Sequence, residues 1–226
     1  MLRDLLGQTA EVVWHADEPD LSDYDCVVLP GGFAYGDHLR AGAIARFSPV
    51  MKSVERFANE GGLVLGICNG FQVLLEAGLL PGAMLKNASI QFRSVWVNLR
   101  VERTDTAFTS ACEVGQILRM PIAHGEGNYA VATDADLAAL ESHGGALVRY
   151  VDDQGAVTDA SNPNGAVGSI AGVINEQGNV FGLMPHPERA CEAVLGSDDG
   201  VWLFKSILQT LETTDGAGRK LEANVA

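Results

Sequence analysis

Leu63-Val64-Leu65-Gly66-Ile67-Cys68-Asn69-Gly70-Phe71-Gln72 is the stretch on which the reading of this chain turns. An apolar run of strand length leads into Cys68, and Gly70 opens a segment of helical character. A residue at the sharp turn between a strand and a helix takes a strained backbone. Glycines two positions to either side remove the β-carbons that would clash there. Such a turn lifts the cysteine above the end of a sheet. The helix behind it aims unpaired N–H groups at the sulfur, which favours thiolate over thiol. The expectation is a nucleophile.

Working outward, Cys26–Leu29 reads as a short apolar strand that stops at Pro30-Gly31-Gly32. Ser48-Pro49 supplies an N-cap and a proline at the first helical position, and Val50, Val54 and Phe57 recur at helical spacing until Gly61-Gly62. With a strand at 63–67 and a helix over about 70–77, this βαβα alternation predicts a parallel sheet covered by helices. Residues 1–6 read as the end of a helix and 11–14 as a strand. Beyond position 90 the pattern predicts strands at 94–101 (alternating, one wet face), 117–122, 146–151, 170–174 and 180–184, with a hairpin at 175–179. Helices are expected at 134–142 and 198–211. The fold class that follows is α/β: a doubly wound, mostly parallel sheet with helices on both faces, in one domain over 1–212, then a polar tail at 213–226.

The balance of 15 basic against 29 acidic residues, a net charge of −14, argues against nucleic acid as a partner, since phosphate neutralisation needs clustered Lys and Arg. No stretch reaches the roughly 20 apolar residues of a membrane span, and the first residues lack the apolar core of a signal peptide. Cys26, Cys68, Cys112 and Cys191 show no metal-ligand spacing; free thiols, a cytoplasmic location and no metal site are expected. Cys26, Cys112 and Cys191 read as structural.

A nucleophilic cysteine needs a base, and the base an orienting group. His186 follows an apolar strand, sits between Pro185 and Pro187, and precedes Glu188 by two positions. In an extended segment residues i and i+2 share a side, so Glu188 can hold one ring nitrogen while the other faces Cys68. Pro30-Gly31-Gly32 stands at another strand's end, where backbone amides can approach a substrate closely. The N–H groups of Gly32 and Asn69 are assigned to an oxyanion hole. His124, in His-Gly-Glu-Gly, reads as part of a glycine-rich turn, with a second base or an interface residue as the alternatives. Tyr35, Asp37 and Arg40 are either a solvated loop or a partner-facing one.

The pattern Pro-Gly-Gly…Gly-x-Cys-x-Gly-x-Gln…His-Pro-Glu resembles the class I (triad) glutamine amidotransferases. Within that family, LPGGFAYGDHLRAGAIAR (29–46), LGICNGFQ (65–72), AHGEGN (123–128), NPNG (162–165) and LMPHPER (183–189) are similar to the glutaminases of phosphoribosylformylglycinamidine synthase. The resemblance implies that Cys68 attacks the glutamine amide, His186 moves the protons and Glu188 holds the imidazole. It also implies that Gly31, Gln72, Phe92 and Arg93 lie at the glutamine site. Family members pass ammonia to a large synthetase subunit that uses ATP and magnesium, often with a small bridging subunit; no cofactor is expected in this subunit. The resemblance further implies a strand and a Pro-Gly-Ser-Asn-like loop ahead of the first helix. This sequence does not carry them, so the expectation is that the natural protein starts earlier and that the first strand is missing here. Alternatives are another triad amidotransferase, a stand-alone cysteine hydrolase, or a non-catalytic amidotransferase-like module.

Overall fold

The computed structural model describes residues 1–37, 39–214 and 223–225. His38 and most of the expected polar tail therefore lie outside the described residues. Strand β1 (Cys26–Leu29) is followed by helix α1 (Pro49–Asn59), strand β2 (Leu63–Ile67) and helix α2 (Asn69–Glu76). Pro49 takes the first position of α1, and Val50, Met51, Val54, Phe57 and Ala58 form its buried stripe. Ser48 occupies the N-cap, but its hydroxyl bonds Tyr35 rather than the helix.

Strands β3 (Ala83–Leu85) and β6 (Asn128–Ala130) form a separate antiparallel pair. Strands β4 (Arg93–Val101) and β5 (Ile117–His124) precede helix α3 (Asp134–Ser142), which Thr133 and Asp136 close with a reciprocal capping box. Strands β7 (Ala146–Val151), β8 (Ile170–Ile174) and β9 (Val180–Leu183) lead to helix α4 (Val201–Thr214), and β10 (Ala223–Val225) follows.

The main sheet runs β10-β1-β2-β9-β8-β7-β4-β5. Its first four strands are parallel and the rest pair antiparallel. The α/β class holds, but the expected predominance of parallel pairing is confined to the half built from the βαβα segment. Beyond β9 the antiparallel pairs β8–β9, β7–β8 and β4–β5 join strands that follow one another with no crossover helix, through a short hairpin at 175–179 and longer loops elsewhere. Helices cover both faces of the parallel half: Gly66 faces Leu74 of α2, while its neighbour Ile67 shares a cavity wall with Phe204 of α4. Phe71 and Leu74 of α2 are fully buried, each contributing about 1.5–3 kcal/mol.

The outer edge of β1 does not stand open. β10 pairs with it in parallel, Cys26 opposite Ala223 and Val28 opposite Val225. Residues 11–14 form no strand beyond a single bridge residue: Val12 and Trp14 stay exposed, and only Val13 packs partly against the core. Residues 1–6 form a single turn, with the Met1 carbonyl accepting from the Leu5 N–H at 2.9 Å.

The sheet curls. His186, just beyond β9, donates its backbone N–H to Pro121 O of β5 at 2.9 Å, although β5 lies four places away in the strand order. That curl brings the carboxyl ends of β1, β2, β9 and β5 to one rim.

Candidate active site

Cys68 sits between β2 and α2 with φ 50° and ψ −105°, a conformation that costs an ordinary residue about 1–3 kcal/mol. Its own N–H donates to Leu183 O at 2.8 Å, and its carbonyl accepts from Gln72 N at 3.1 Å. The elbow is pressed onto β1 so tightly that a β-carbon on Gly70 would lie 2.0 Å from Leu29 O. The sequence reading of this turn holds.

Its electrostatics do not follow that reading. Burial pushes the Cys68 thiol up to about 12, against the opposing pull of the Asn69 backbone N–H; Glu188 raises it further, Arg189 lowers it and Asp37 raises it. The helix N-terminus acts in the expected direction, but desolvating a thiolate in a site 5% exposed outweighs it. In this state the sulfur is a thiol and must give its proton to a base as it reacts.

The base is in place. His186 is 2% exposed, and its Nδ1 lies 2.6 Å from Glu188 Oε1. The carboxylate accepts, so Nδ1 carries a hydrogen, and in the neutral ring the lone pair is on Nε2. That Nε2 is buried without a hydrogen-bond partner. The segment is not extended as expected; Pro187–Arg189 forms a 3₁₀ turn, and His186 pairs with Glu188 from its N-cap. Gly31 links base to nucleophile: a β-carbon on it would lie 2.8 Å from His186 Cε1 and 3.4 Å from Cys68 Cβ. The imidazole and the cysteine thus flank one point.

Beside Cys68 opens a cleft of about 220 Å³, whose walls include Gly32, Asp37, Phe92 and His124. Of the residues assigned to the oxyanion hole, Gly32 lines this cleft at φ 151°, and the Asn69 backbone N–H points to the sulfur. Phe92 is on the wall. Gln72 is too, but its amide is committed: Oε1 accepts from Asn69 Nδ2 at 2.9 Å and Nε2 donates to Glu126 O at 2.5 Å. It braces the wall instead of presenting free hydrogen-bonding groups. Gly31 and Arg93 do not line the cleft. Gly31 keeps the space between nucleophile and base, and Arg93 opens β4, its backbone paired opposite His124.

The loop after Gly32 carries Tyr35, Gly36, Asp37, Leu39 and Gly42 at positive φ. The loop is exposed at Phe33, Tyr35 and Leu39, yet it is tied to the body of the protein by side-chain bonds. Tyr35 bonds His15 and Ser48, and Arg40 pairs with Glu76 at 2.7 Å. The Asn69 side chain accepts from Ala34 N at 3.1 Å and donates to Asp37 Oδ1 at 3.0 Å. The Glu126 carboxylate accepts from Ala41 N at 3.1 Å.

His124 corrects the turn reading. It ends β5, is 3% exposed and lines the cleft. Neither its burial nor the bracing roles of Asn69 and Glu126 could be read locally, because their partners come from distant segments. Cys26, Cys112 and Cys191 are buried free thiols, as expected of structural residues. Among the described residues no three of His, Cys, Asp and Glu gather as a metal site, and no helix is long and apolar enough to cross a membrane.

A buried thiol, an imidazole oriented by a carboxylate and a backbone N–H at one rim can transfer an acyl group from an amide through sulfur. Residues 3–201 match the model of the CobB/CobQ-like glutamine amidotransferase domain. The phosphoribosylformylglycinamidine synthase subunit PurQ of Moorella thermoacetica is 56% identical over 96% of this chain and 91% of its own. The protein of the same name from Thermomicrobium roseum is 57% identical over 90% of this chain and 85% of its own. A chain in the structure of PurLQS from Thermotoga maritima aligns with a TM-score of 0.75 at 47% identity, covering 86% of this chain and 83% of that one.

Proposed function

Because this chain belongs to the CobB/CobQ-like glutamine amidotransferase family, and groups there with the PurQ subunits, we infer that it is the glutaminase subunit of phosphoribosylformylglycinamidine synthase. It hydrolyses L-glutamine and supplies ammonia to a synthetase subunit, which converts formylglycinamide ribonucleotide to formylglycinamidine ribonucleotide in purine synthesis. The observation that carries the reading is the meeting of Cys68 and the Glu188-held His186 at Gly31, beside a cleft large enough for an amino acid.

Glutamine enters that cleft with its carboxamide carbon at Cys68. As Sγ attacks, the thiol proton passes to Nε2 of His186, and the Glu188 carboxylate stabilises the imidazolium. The oxygen that gains charge is held by the N–H groups of Asn69 and Gly32. His186 returns the proton to the departing nitrogen, the C–N bond breaks, and a γ-glutamyl thioester and ammonia remain. Water, deprotonated by the same Nε2, cleaves the thioester, giving glutamate and restoring the thiol.

ATP and magnesium belong, on this reading, to the synthetase subunit, and this subunit carries no cofactor. Phe33 and Phe92 stay exposed at the cleft mouth, which suits a partner that covers it. A small third subunit bridging the two, and a cytoplasmic location suited to four free thiols, complete the proposal. Replacing Cys68 by Ala in the assembled complex tests it. Glutamine-dependent synthesis is lost while synthesis from added ammonia continues; unchanged glutamine-dependent synthesis overturns the reading.

A further inference from the structure

Packing does not fix Gly32, which carries one of the two assigned oxyanion donors. It lines the cleft and two further cavities of about 390 Å³ and 280 Å³, and a β-carbon on it would meet nothing within 4 Å. Among the described residues, the first hydrogen bond past β1 that ties this loop to another segment runs from Ala34 N to Asn69 Oδ1, at 3.1 Å. Immediately beyond, Tyr35, Gly36 and Asp37 stand in the left-handed region at φ 54°, 70° and 51°. Two of the three carry a β-carbon, so the loop needs an outside hold to keep this shape.

The Asn69 amide supplies that hold with every polar atom it has. Oδ1 accepts from Ala34, so Nδ2 is the donor, giving one hydrogen to Asp37 Oδ1 at 3.0 Å and one to Gln72 Oε1 at 2.9 Å. Gln72 passes the link on: its Nε2 donates to Glu126 O, and the Glu126 carboxylate accepts from Ala41 N at 3.1 Å. The loop is thus tied to the elbow helix at 34, at 37 and, through Glu126, at 41. Asn69 is buried, and no side chain of similar size replaces it: Asp lacks the donors and Leu lacks all three bonds. Its own backbone N–H meanwhile points to the Cys68 sulfur.

We propose that the Asn69 side chain is a positioning residue for the oxyanion hole, holding the loop so that the Gly32 N–H meets the same oxygen as the Asn69 backbone N–H. The proposal rests on the glutaminase reading above. One residue then governs both donors: its main chain supplies the first, and its amide places the second. Donors fixed in advance need no rearrangement as charge develops on the oxygen. A loop free to relax loses stabilisation of the transition state and not affinity for the substrate.

The test measures glutamine hydrolysis in the assembled complex and alkylation of Cys68 by iodoacetamide in the full-length free subunit. Alkylation displaces iodide at a saturated carbon and forms no oxyanion, so it reports on the elbow and the thiol but not on the hole. Asn69→Leu removes all three side-chain bonds and keeps the backbone N–H. The expected result is a kcat for glutamine lower by about 10²-fold, the effect of one lost oxyanion donor, with KM and the alkylation rate within about threefold of wild type. Asp37→Gly keeps the positive φ and the whole elbow but removes one tether, and should show the same pattern at about three- to tenfold. Parallel losses of kcat and of alkylation mean that Asn69 shapes the elbow itself and overturn the proposal. A raised KM at unchanged kcat overturns it too, as does wild-type kcat in either variant; Asp37→Gly decides alone if Asn69→Leu does not assemble. Failure of the wild-type complex to hydrolyse glutamine at all would instead refute the glutaminase reading.

Discussion

Gly31 lies so close to the His186 ring that a β-carbon on it would come within 2.8 Å of Cε1. The ring has no room to retreat, because its Nδ1 is held by Glu188 Oε1 at 2.6 Å and its backbone N–H by Pro121 O. Gly31→Ala should therefore tilt the imidazole away from Cys68. A displacement of about 1 Å at such a site costs about 10²-fold in rate. Glutaminase kcat in the complex should fall by that order, with the ammonia-dependent reaction unchanged; a variant with wild-type kcat would contradict the geometry.

Glu188 sets which nitrogen of His186 carries the hydrogen, so its charge matters more than its bulk. In Glu188→Gln the amide can offer either a hydrogen or an oxygen to Nδ1, and the imidazolium loses its counter-charge. Thioester formation should slow by about 10²–10⁴-fold, as when a triad carboxylate is neutralised. Single-turnover release of ammonia measures that step directly. A change in KM alone would assign Glu188 to substrate binding instead.

With its thiol pushed up to about 12, Cys68 is roughly one part in ten thousand thiolate at pH 8 in this state. Alkylation of Cys68 by iodoacetamide in the free subunit should therefore be slow near neutrality and still climbing with pH above about 10, where an ordinary thiol has levelled off. Peptide mapping of the labelled cysteine reads this out. A plateau below pH 8 would show that the helix N-terminus outweighs burial after all.

The elbow was legible in the sequence because its causes are local: an apolar run, Cys68, and glycines at 66 and 70 that each serve one turn. The pairing of His186 with Glu188 was legible for the same reason, two positions apart on one segment. The direction of pairing in the second half of the sheet was not. β4, β5, β7 and β8 carry apolar patterns that suit either direction, and the choice depends on which neighbour each strand meets. β3 and β6, three residues each, are too short to show a period. The protonation state of Cys68 was misread because desolvation is a property of the packed site and not of the tripeptide around the sulfur. His124 was misread because its partner, Asn87, is 37 positions away, and no local pattern announces a buried imidazole.

That burial has a thermodynamic consequence. Burial, followed by the charge of His186, lowers the affinity of His124 for a proton to a pKa of about 4, from an ordinary 6.5. Between those values the unfolded chain binds a proton at this position and the folded chain does not, so stability falls as pH falls through the window. The contribution is fully present above pH 6.5, is lost progressively toward pH 4, and amounts to about 3 kcal/mol. Many carboxylates titrate over part of the same range, so the comparison must be a difference. Urea midpoints of the wild type and of His124→Asn, measured every half unit from pH 7 to pH 4.5, should converge as the pH drops, because only the wild type carries this group. Parallel curves would mean that His124 is protonated as readily in the folded protein as in the unfolded one, and that burial does not lower its affinity for a proton.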